Sequence, residues 1–373
     1  MIPTPPGPVG RLRPFLLLFA LLLTAVLPGA CSSPPLQRHE FTRLCMGVPA
    51  RIVIYAPGAE HATAGARAAF AELARLDSMM SDYQPASELS RLPALCHASP
   101  FRVSDDLYLV LSRGAELSEL TGGAFDVTLG PLTRLWRESR RSGTLPDQPT
   151  LDAARARSGF RLLHLTDGTA RAARADMQLD LGGIAKGFAA ERAVRVLRSH
   201  AIPNALVSLA GDVYAGDPPP GTQGWRVEIR GDRSGDDSPP LGALWLTRAG
   251  VSTSGDASQH VEVGGVRYSH ILDPRTGLGV QSSRTVTVLA PRGTDADALS
   301  TALSVFDPNE ADALLTRFHA AALIVDESGS TRVIDPFRQF RWHTPPAFSR
   351  LAFPGAPHDQ ASTPPTRSKA QTP

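Results

Sequence analysis

Three short segments carry the residue types that handle phosphate and move protons. Asp180–Phe188 reads DLGGIAKGF, with an acid, three glycines and a lysine between the apolar run MQLDL and a helix-like stretch. A strand, a glycine turn and a helix in that order expose unpaired N–H groups at a helix N-terminus, where the dipole favours anions. Lys186 adds a positive charge in the first turn. The pattern matches neither the Walker nor the dinucleotide glycine fingerprint. A phosphate cradle and a tight packing turn with Lys186 in solvent both satisfy it. The second segment is SHILDPRTGLG at 269–279. A histidine beside an aspartate is often structural, but His270 stands where a strand enters a Pro/Gly turn, a common place for functional groups. Imidazole is also the side chain best suited to take or give a proton near neutral pH. The third is GTDADALSTAL at 293–303, where Asp297 and Thr301 are four residues apart and share a helix face. A carboxylate and a hydroxyl are hard oxygen ligands for Mg²⁺ that also touches phosphate. Helix capping by Thr294 or Asp295, with Asp297 placed for the dipole, explains the same residues.

Two further segments carry aromatic and acidic groups. In GGAFDVTLGPLTRLW (122–136), Phe125 and Asp126 follow paired glycines, and GPL opens a short helix with proline near its start. The ring either faces a flat ligand or belongs to the core. In SDYQPASELSRL (81–92), Tyr83 lies in a Pro-containing turn.

The elements that must hold these residues alternate in type. Strands are expected at 50–55, 204–215, 225–231, 243–250, 259–265, 284–291, 321–326 and 331–335. Apolar spacing predicts helices over 60–77, 105–120, 186–200, 295–306 and 309–318. Such mixing indicates an α+β fold, a single large domain in one body or two lobes. The Pro/Gly/Asp stretches 216–223 and 231–240 read as loops.

With 42% hydrophobic residues the chain has material for a large core, and its formal charge of +2 gives no electrostatic case for nucleic acid. Arg11 and Arg13 precede the uncharged run Phe15–Leu27, too short to span a bilayer comfortably and suited to a signal peptide over 1–30. Small residues Gly29 and Ala30 directly before Cys31 resemble a lipoprotein signal, with lipid on Cys31 anchoring an exported protein at the periplasmic side of the inner membrane. A simple cleaved signal or an uncleaved anchor is the alternative. Residues 31–44 read as a tether, 45–343 as the folded domain, and 344–373, rich in Pro, Ser, Thr and Ala, as a disordered tail. Cys45 and Cys96 are either a disulfide or two thiols.

Taken in order, Met46-Gly47, MSDYQPASELSRL, GAFDVTLGPLTRLW, LDLGGIAKGFAAERA, NALVSLAGDVYA, VSTSGD, SHILDPRTG and TDADALSTAL resemble the ApbE family, the FAD:protein FMN transferases, over about 45–335. The resemblance implies an enzyme that uses FAD as substrate with Mg²⁺. FMN passes to a Thr or Ser hydroxyl of an acceptor flavoprotein through a phosphoester bond, and AMP is released. It places FAD contacts on Met46, Tyr83, Ala124, Phe125, Asp126, Asp180, Lys186 and Ile271. It places Mg²⁺ on Gly183 (through its carbonyl), Asp297 and Thr301, and makes His270 the candidate base. An exported FAD-binding protein without transfer activity, or an FAD pyrophosphatase, would use the same pocket. Ala210 stands where the family often has glycine, and Val48-Pro49 follow Met46 where it has small or hydroxyl residues.

Overall fold

The computed structural model describes residues 34–230, 240–255, 260–282 and 284–338, with residues 1 and 3. The expected signal segment 1–30, Cys31 and the tail 344–373 lie outside the described residues, as does nearly all of the loop 231–240. Contacts group the chain into Met1–Pro35 and Leu36–Pro373, and the second unit is the one described below.

Eight strands form one sheet: β1 (Gln37–Cys45), β2 (Val48–Ala56), β3 (Ala205–Leu209), β4 (Asp212–Ala215), β5 (Ala249–Ser254), β6 (Thr285–Ala290), β7 (Ala321–Val325) and β8 (Thr331–Ile334). Their order across the sheet is their order in the chain, and every neighbouring pair is antiparallel. The connections carry the remaining elements. Between β2 and β3 run α1 (Ala59–Met80), α2 (Glu88–His97), α3 (Asp105–Leu120), α4 (Gly130–Ser142), α5 (Gln148–Arg155) and α6 (Ala185–Ser199). Between β6 and β7 run α7 (Gly293–Val305) and α8 (Ala311–Arg317). A hairpin of Trp225–Ile229 with Gly242–Leu246 links β4 to β5. Two smaller hairpins, His260–Val263 with Val266–Ser269 and Leu272–Asp273 with Leu278–Gly279, link β5 to β6.

Side chains on a strand alternate between its faces, and the sheet separates two apolar layers accordingly. Ile52 and Ile54 of β2, Val207 of β3, and Val286 and Val288 of β6 are fully buried and pack with α1, α6 and α7. Val53, Leu206 and Leu289, one place along in the same strands, pack instead with Trp225, Leu244 and Leu246 of the covering hairpin. A third cluster joins Leu132 and Trp136 of α4 and Leu151 of α5 to Tyr268 and Leu272. It fixes the small hairpins, and so the segment bearing His270, against α4.

The tether expected over 31–44 ends earlier, because residues 37–45 form β1. Met46 (φ 52°) and Gly47 (φ 73°) both adopt left-handed backbone, the two-residue turn that matches the twist of a hairpin. The hairpin pairs Gln37–Cys45 with Val48–Ala56 in full register. The strand lies at the sheet edge with most of its residues exposed or partly exposed, so its sequence has no apolar alternation to reveal it. The run 204–215 is two strands rather than one, turning at Ala210 and Gly211, with Ala210 at φ 54°. The segment 243–250 likewise splits between the covering hairpin and β5, and 309–318 opens with a 3-10 turn at Pro308–Glu310 before α8. Cys45 and Cys96 are free thiols, Cys96 buried in α2. Among the described residues no helix is long and apolar enough to cross a membrane.

Candidate active site

A cleft of about 510 Å³ opens where the β3–β4 turn, the end of β5, the start of α6 and one face of α7 converge. Its other walls come from the loop before α4 and from His270–Leu272. The approach of α6, α7 and β5 depends on glycine. A β-carbon on Gly187 would lie 2.1 Å from the Gly293 carbonyl oxygen and 2.7 Å from Asp297 Cβ. One on Gly250 would meet Gly293 Cα at 2.6 Å. Three backbones therefore touch at one point. The Gly187 N–H donates to Asp297 Oδ2 at 2.9 Å and the Gly293 N–H to Glu191 Oε2 at 3.0 Å.

This contact gathers an acid–lysine cluster on the cleft floor. Lys186 Nζ lies 3.1 Å from Asp212 Oδ2 and 3.7 Å from Asp297 Oδ2, and donates to the Gly182 carbonyl at 2.9 Å. Burial by itself would lower the Lys186 pKa; Asp212 and Asp297 outweigh it and hold the ammonium above its usual range. Asp297 is pushed up to about 7, first by burial and then by the charge of Asp212, against the opposing pull of Lys186. Asp212 also accepts from Ser252 Oγ at 2.5 Å, and a hydroxyl chain runs on through Ser300 to Ser254. Gly183 abuts Thr301: a β-carbon on it would sit 2.9 Å from Thr301 Oγ1.

Carboxylate, hydroxyl and backbone carbonyl are hard oxygen donors, and two buried carboxylates beside a single lysine leave room for more positive charge. The residues present fit Mg²⁺. The donor set is a mixed one, since no group of three or more His, Cys, Asp or Glu suited to a metal occurs among the described residues. Asp295 is not part of it. Its carboxylate is held by Arg113 at 2.7 and 3.0 Å and by Arg292 at 2.9 Å, which ties α7 to α3. The first N–H of α7 goes to Glu191 and the residue before the helix, Arg292, makes no side-chain cap bond, so the capping reading of Thr294 or Asp295 does not hold.

The aromatic wall is equally built. Phe125 is buried, with its N–H on Thr121 Oγ1 at 3.2 Å. Asp126 Oδ1 accepts the N–H and hydroxyl of Thr128, both at 2.7 Å; burial raises the Asp126 pKa and these bonds offset part of the rise. Asp180 turns back to accept the Gly182 N–H at 2.7 Å and takes a second bond from Arg137 at 2.9 Å. Arg137 also pairs with Asp82 and lies 4.6 Å from the centre of the Tyr83 ring. His270 follows Ser269, whose carbonyl accepts from Trp136 Nε1 at 3.0 Å and whose hydroxyl accepts from the Ile271 N–H at 3.1 Å. Beyond it the Asp273 carbonyl accepts the Gly277 N–H at 2.8 Å, with Gly277 at φ 71°.

Of the residues singled out in the sequence, Tyr83, Ala124, Phe125, Asp126, Asp180, Gly183, Lys186, His270, Ile271, Asp297 and Thr301 all line this cleft. Met46 does not line it; its side chain packs against the main core from the β1–β2 turn. Sequence reasoning missed Asp212, the closest acid to Lys186, although SLAGD placed an aspartate right after a tight turn. It also missed Arg137 and Arg140, which repeat at helical spacing on α4 and both line the cleft.

Fold and site together define an α+β enzyme with one acid–lysine centre at the floor of a deep cleft. The chain belongs to the ApbE family, whose model matches residues 46–324. It is 36% identical over 310 residues to the FAD:protein FMN transferase of Treponema pallidum, covering 78% of this chain and 85% of that protein. The Escherichia coli K12 protein of the same name is 28% identical over 262 residues, covering 68% and 74%. Among solved structures, the ApbE protein of Thermotoga maritima superposes with a TM-score of 0.72 at 30% identity, covering 82% of this chain and 99% of that one. The flavin transferase ApbE of Vibrio cholerae superposes with a TM-score of 0.72 at 28% identity, covering 82% and 100%.

Proposed function

We propose that this chain is an FAD:protein FMN transferase that moves FMN from FAD onto a Thr or Ser hydroxyl of an acceptor protein. The observation that carries the reading is the convergence of Asp180, Lys186, Asp212, Asp297 and Thr301 beside Phe125 and Tyr83 in one cleft, in a chain of this family. The acceptor oxygen attacks the FMN-side phosphorus. A phosphoester bond forms as the bond from that phosphorus to the bridging oxygen breaks, and AMP leaves with the bridging oxygen. His270 takes the hydroxyl proton. Lys186 offsets negative charge on the pyrophosphate. Phe125 and Tyr83 supply flat surface for the rings of FAD, and Asp126 and Asp180 orient polar groups of the dinucleotide. Asp297, Thr301 and the Gly183 carbonyl would hold Mg²⁺. Bound there, the cation supplies charge against the phosphate oxygens without proton exchange.

The test is to incubate the protein with FAD, Mg²⁺ and a threonine-bearing acceptor peptide, then weigh the peptide. The expected outcome is a mass gain of FMN with AMP in solution. FAD left intact would instead mark a carrier, and free FMN released without acceptor would mark a hydrolase. Asp297→Ala should abolish transfer, and full retained activity would remove Asp297 from the metal site. An exported, lipid-anchored location fits the N-terminal segment ahead of Cys31.

A further inference from the structure

Three serines lead from the acid–lysine centre back to the cleft wall. Ser252 and Ser254 are two places apart on β5 and share one face of the strand, and Ser300 meets them from α7. Ser252 Oγ reaches Asp212 Oδ1 at 2.5 Å, Ser300 Oγ lies 2.9 Å from Ser252 Oγ, and Ser254 Oγ lies 2.8 Å from Ser300 Oγ. Ser252 and Ser300 are buried, and of the three only Ser254 lines the cleft.

A serine hydroxyl has one hydrogen to donate and two lone pairs to accept with. The Asp212 carboxylate can only accept, so the Ser252 hydrogen goes to it. Ser252 is then the acceptor in its contact with Ser300. The Ser300 hydrogen has one other taker, the Asp297 carbonyl at 2.9 Å. Neither choice leaves a hydrogen for Ser254, so the contact between Ser254 and Ser300 is made by the Ser254 hydrogen. Donation therefore runs one way, from Ser254 to Ser300 to Ser252 to Asp212. Turning Ser300 the other way would press two buried hydroxyl oxygens together with no hydrogen between them, and no water reaches them to make up the loss. Ser254 thus faces the cleft with lone pairs alone.

That polarity decides what Ser254 can bind. A serine beside a phosphate site is ordinarily a donor to phosphate oxygens. The ionised pyrophosphate of FAD offers acceptors only, and Ser254 has no hydrogen to give it. Yet Ser254 stands beside the floor that Asp212, Lys186 and Thr301 form. On FAD the donors nearest the pyrophosphate are hydroxyls, those of the ribityl chain on one side and of the ribose on the other.

We propose that Ser254 is a binding residue that accepts a hydrogen bond from a sugar hydroxyl of FAD, and that Ser300 is the positioning residue that holds it in this polarity. The proposal rests on the reading of the cleft as an FAD site, so its test uses binding without turnover.

FAD is titrated into the full chain without acceptor, in Mg²⁺ and in chelator, and flavin fluorescence is read. Ser254→Ala should weaken FAD by about fivefold, the scale of one neutral hydrogen bond. Ser254→Thr, which keeps the hydroxyl, should bind FAD as the parent does. Ser300→Ala frees the Ser254 hydrogen and should weaken FAD as well. The double alanine variant should be no weaker than Ser300→Ala alone, because one residue acts through the other. Thermal melts check that each variant is folded. FMN and ADP, the second read by displacement of FAD, share phosphate but differ in their sugar. A loss in Ser254→Ala confined to FMN identifies a ribityl hydroxyl, and one confined to ADP identifies the ribose. An equal loss for both would make phosphate the ligand and overturn the proposal. So would a loss seen only with Mg²⁺, additive losses in the double variant, or FAD bound equally by parent and Ser254→Ala. FAD that binds as expected but is never passed to an acceptor would leave Ser254 in place and remove the transferase reading.

Discussion

Asp297 and Asp212 sit on one lysine, and the titration of Asp297 follows from that arrangement. The Asp297 pKa is raised from an ordinary 3.8 to about 7, so the folded chain binds a proton more tightly than the unfolded chain across that window. A group of this kind makes stability fall as pH rises from about 4 to about 7. Thermal melts in chelator should show that loss of stability, and Asp297→Asn should flatten it. A slope that persists in the variant would assign the effect to other groups. Added Mg²⁺ should flatten it too, because a cation at the carboxylate favours its charged form. Asp212 acts through Lys186, which it holds at 3.1 Å. Asp212→Asn should lower kcat for transfer by about a hundredfold, the scale of losing one preorganised charged contact, while Asp212→Glu restores part of it. A change in KM for FAD alone would instead give Asp212 a role in binding.

At the scale of elements, the site is made by the meeting of α6, α7 and β5 at Gly187, Gly293 and Gly250. Gly187→Ala must push back the Gly293 carbonyl, which a β-carbon would approach to 2.1 Å. Such overpacking costs about 1–3 kcal/mol. Urea denaturation should show that loss, and transfer should fall further than stability does because Asp297 moves with α7. Undiminished activity in a folded Gly187→Ala protein would show that the helix contact does not set the acid–lysine geometry. The DPRTG turn has a comparable constraint. A β-carbon on Gly279 would lie 2.2 Å from the Ser269 carbonyl and 2.5 Å from the Trp136 ring, so the hairpin after His270 sits hard against α4. The glycine pair at 182–183 differs again, because its second member lies against the Thr301 side chain rather than against another backbone.

Within Leu36–Pro373, a plain antiparallel meander is opened by three connections that reach the cleft. The long insertion between β2 and β3 brings the aromatic wall and α6, the one between β5 and β6 brings His270–Leu272, and the one between β6 and β7 brings α7. Most of the cleft thus comes from connections held by a common sheet, which adds Asp212 and the end of β5, and this is how loops and helix ends acquire fixed geometry. The proposed export belongs to this scale as well. Cys31→Ser should move the protein from the membrane fraction to the soluble fraction when cells are broken and spun, and an unchanged distribution would rule out a lipid anchor at Cys31.

Periodicity and order were enough to read most of this protein. Buried strands such as 284–291 and helices such as 105–120 announce themselves because burial imposes a period of 2 or 3.6 on apolar residues. Every site residue that the run of motifs named between Tyr83 and Thr301 lines the cleft, because local chemistry and chain order survive in a linear string. Edge strand β1 was not legible, since its pairing is made by backbone bonds and a turn while its side chains face water. Asp212 was not legible either. Nothing near it in the chain says that Lys186, 26 positions earlier, will lie 3.1 Å away. The sequence by itself determined which residues have the chemistry and which elements carry them. The tertiary structure alone decided which carboxylates share the lysine and that a third glycine of DLGGIAKGF serves helix contact rather than ligand, because both depend on distances between segments far apart in the chain.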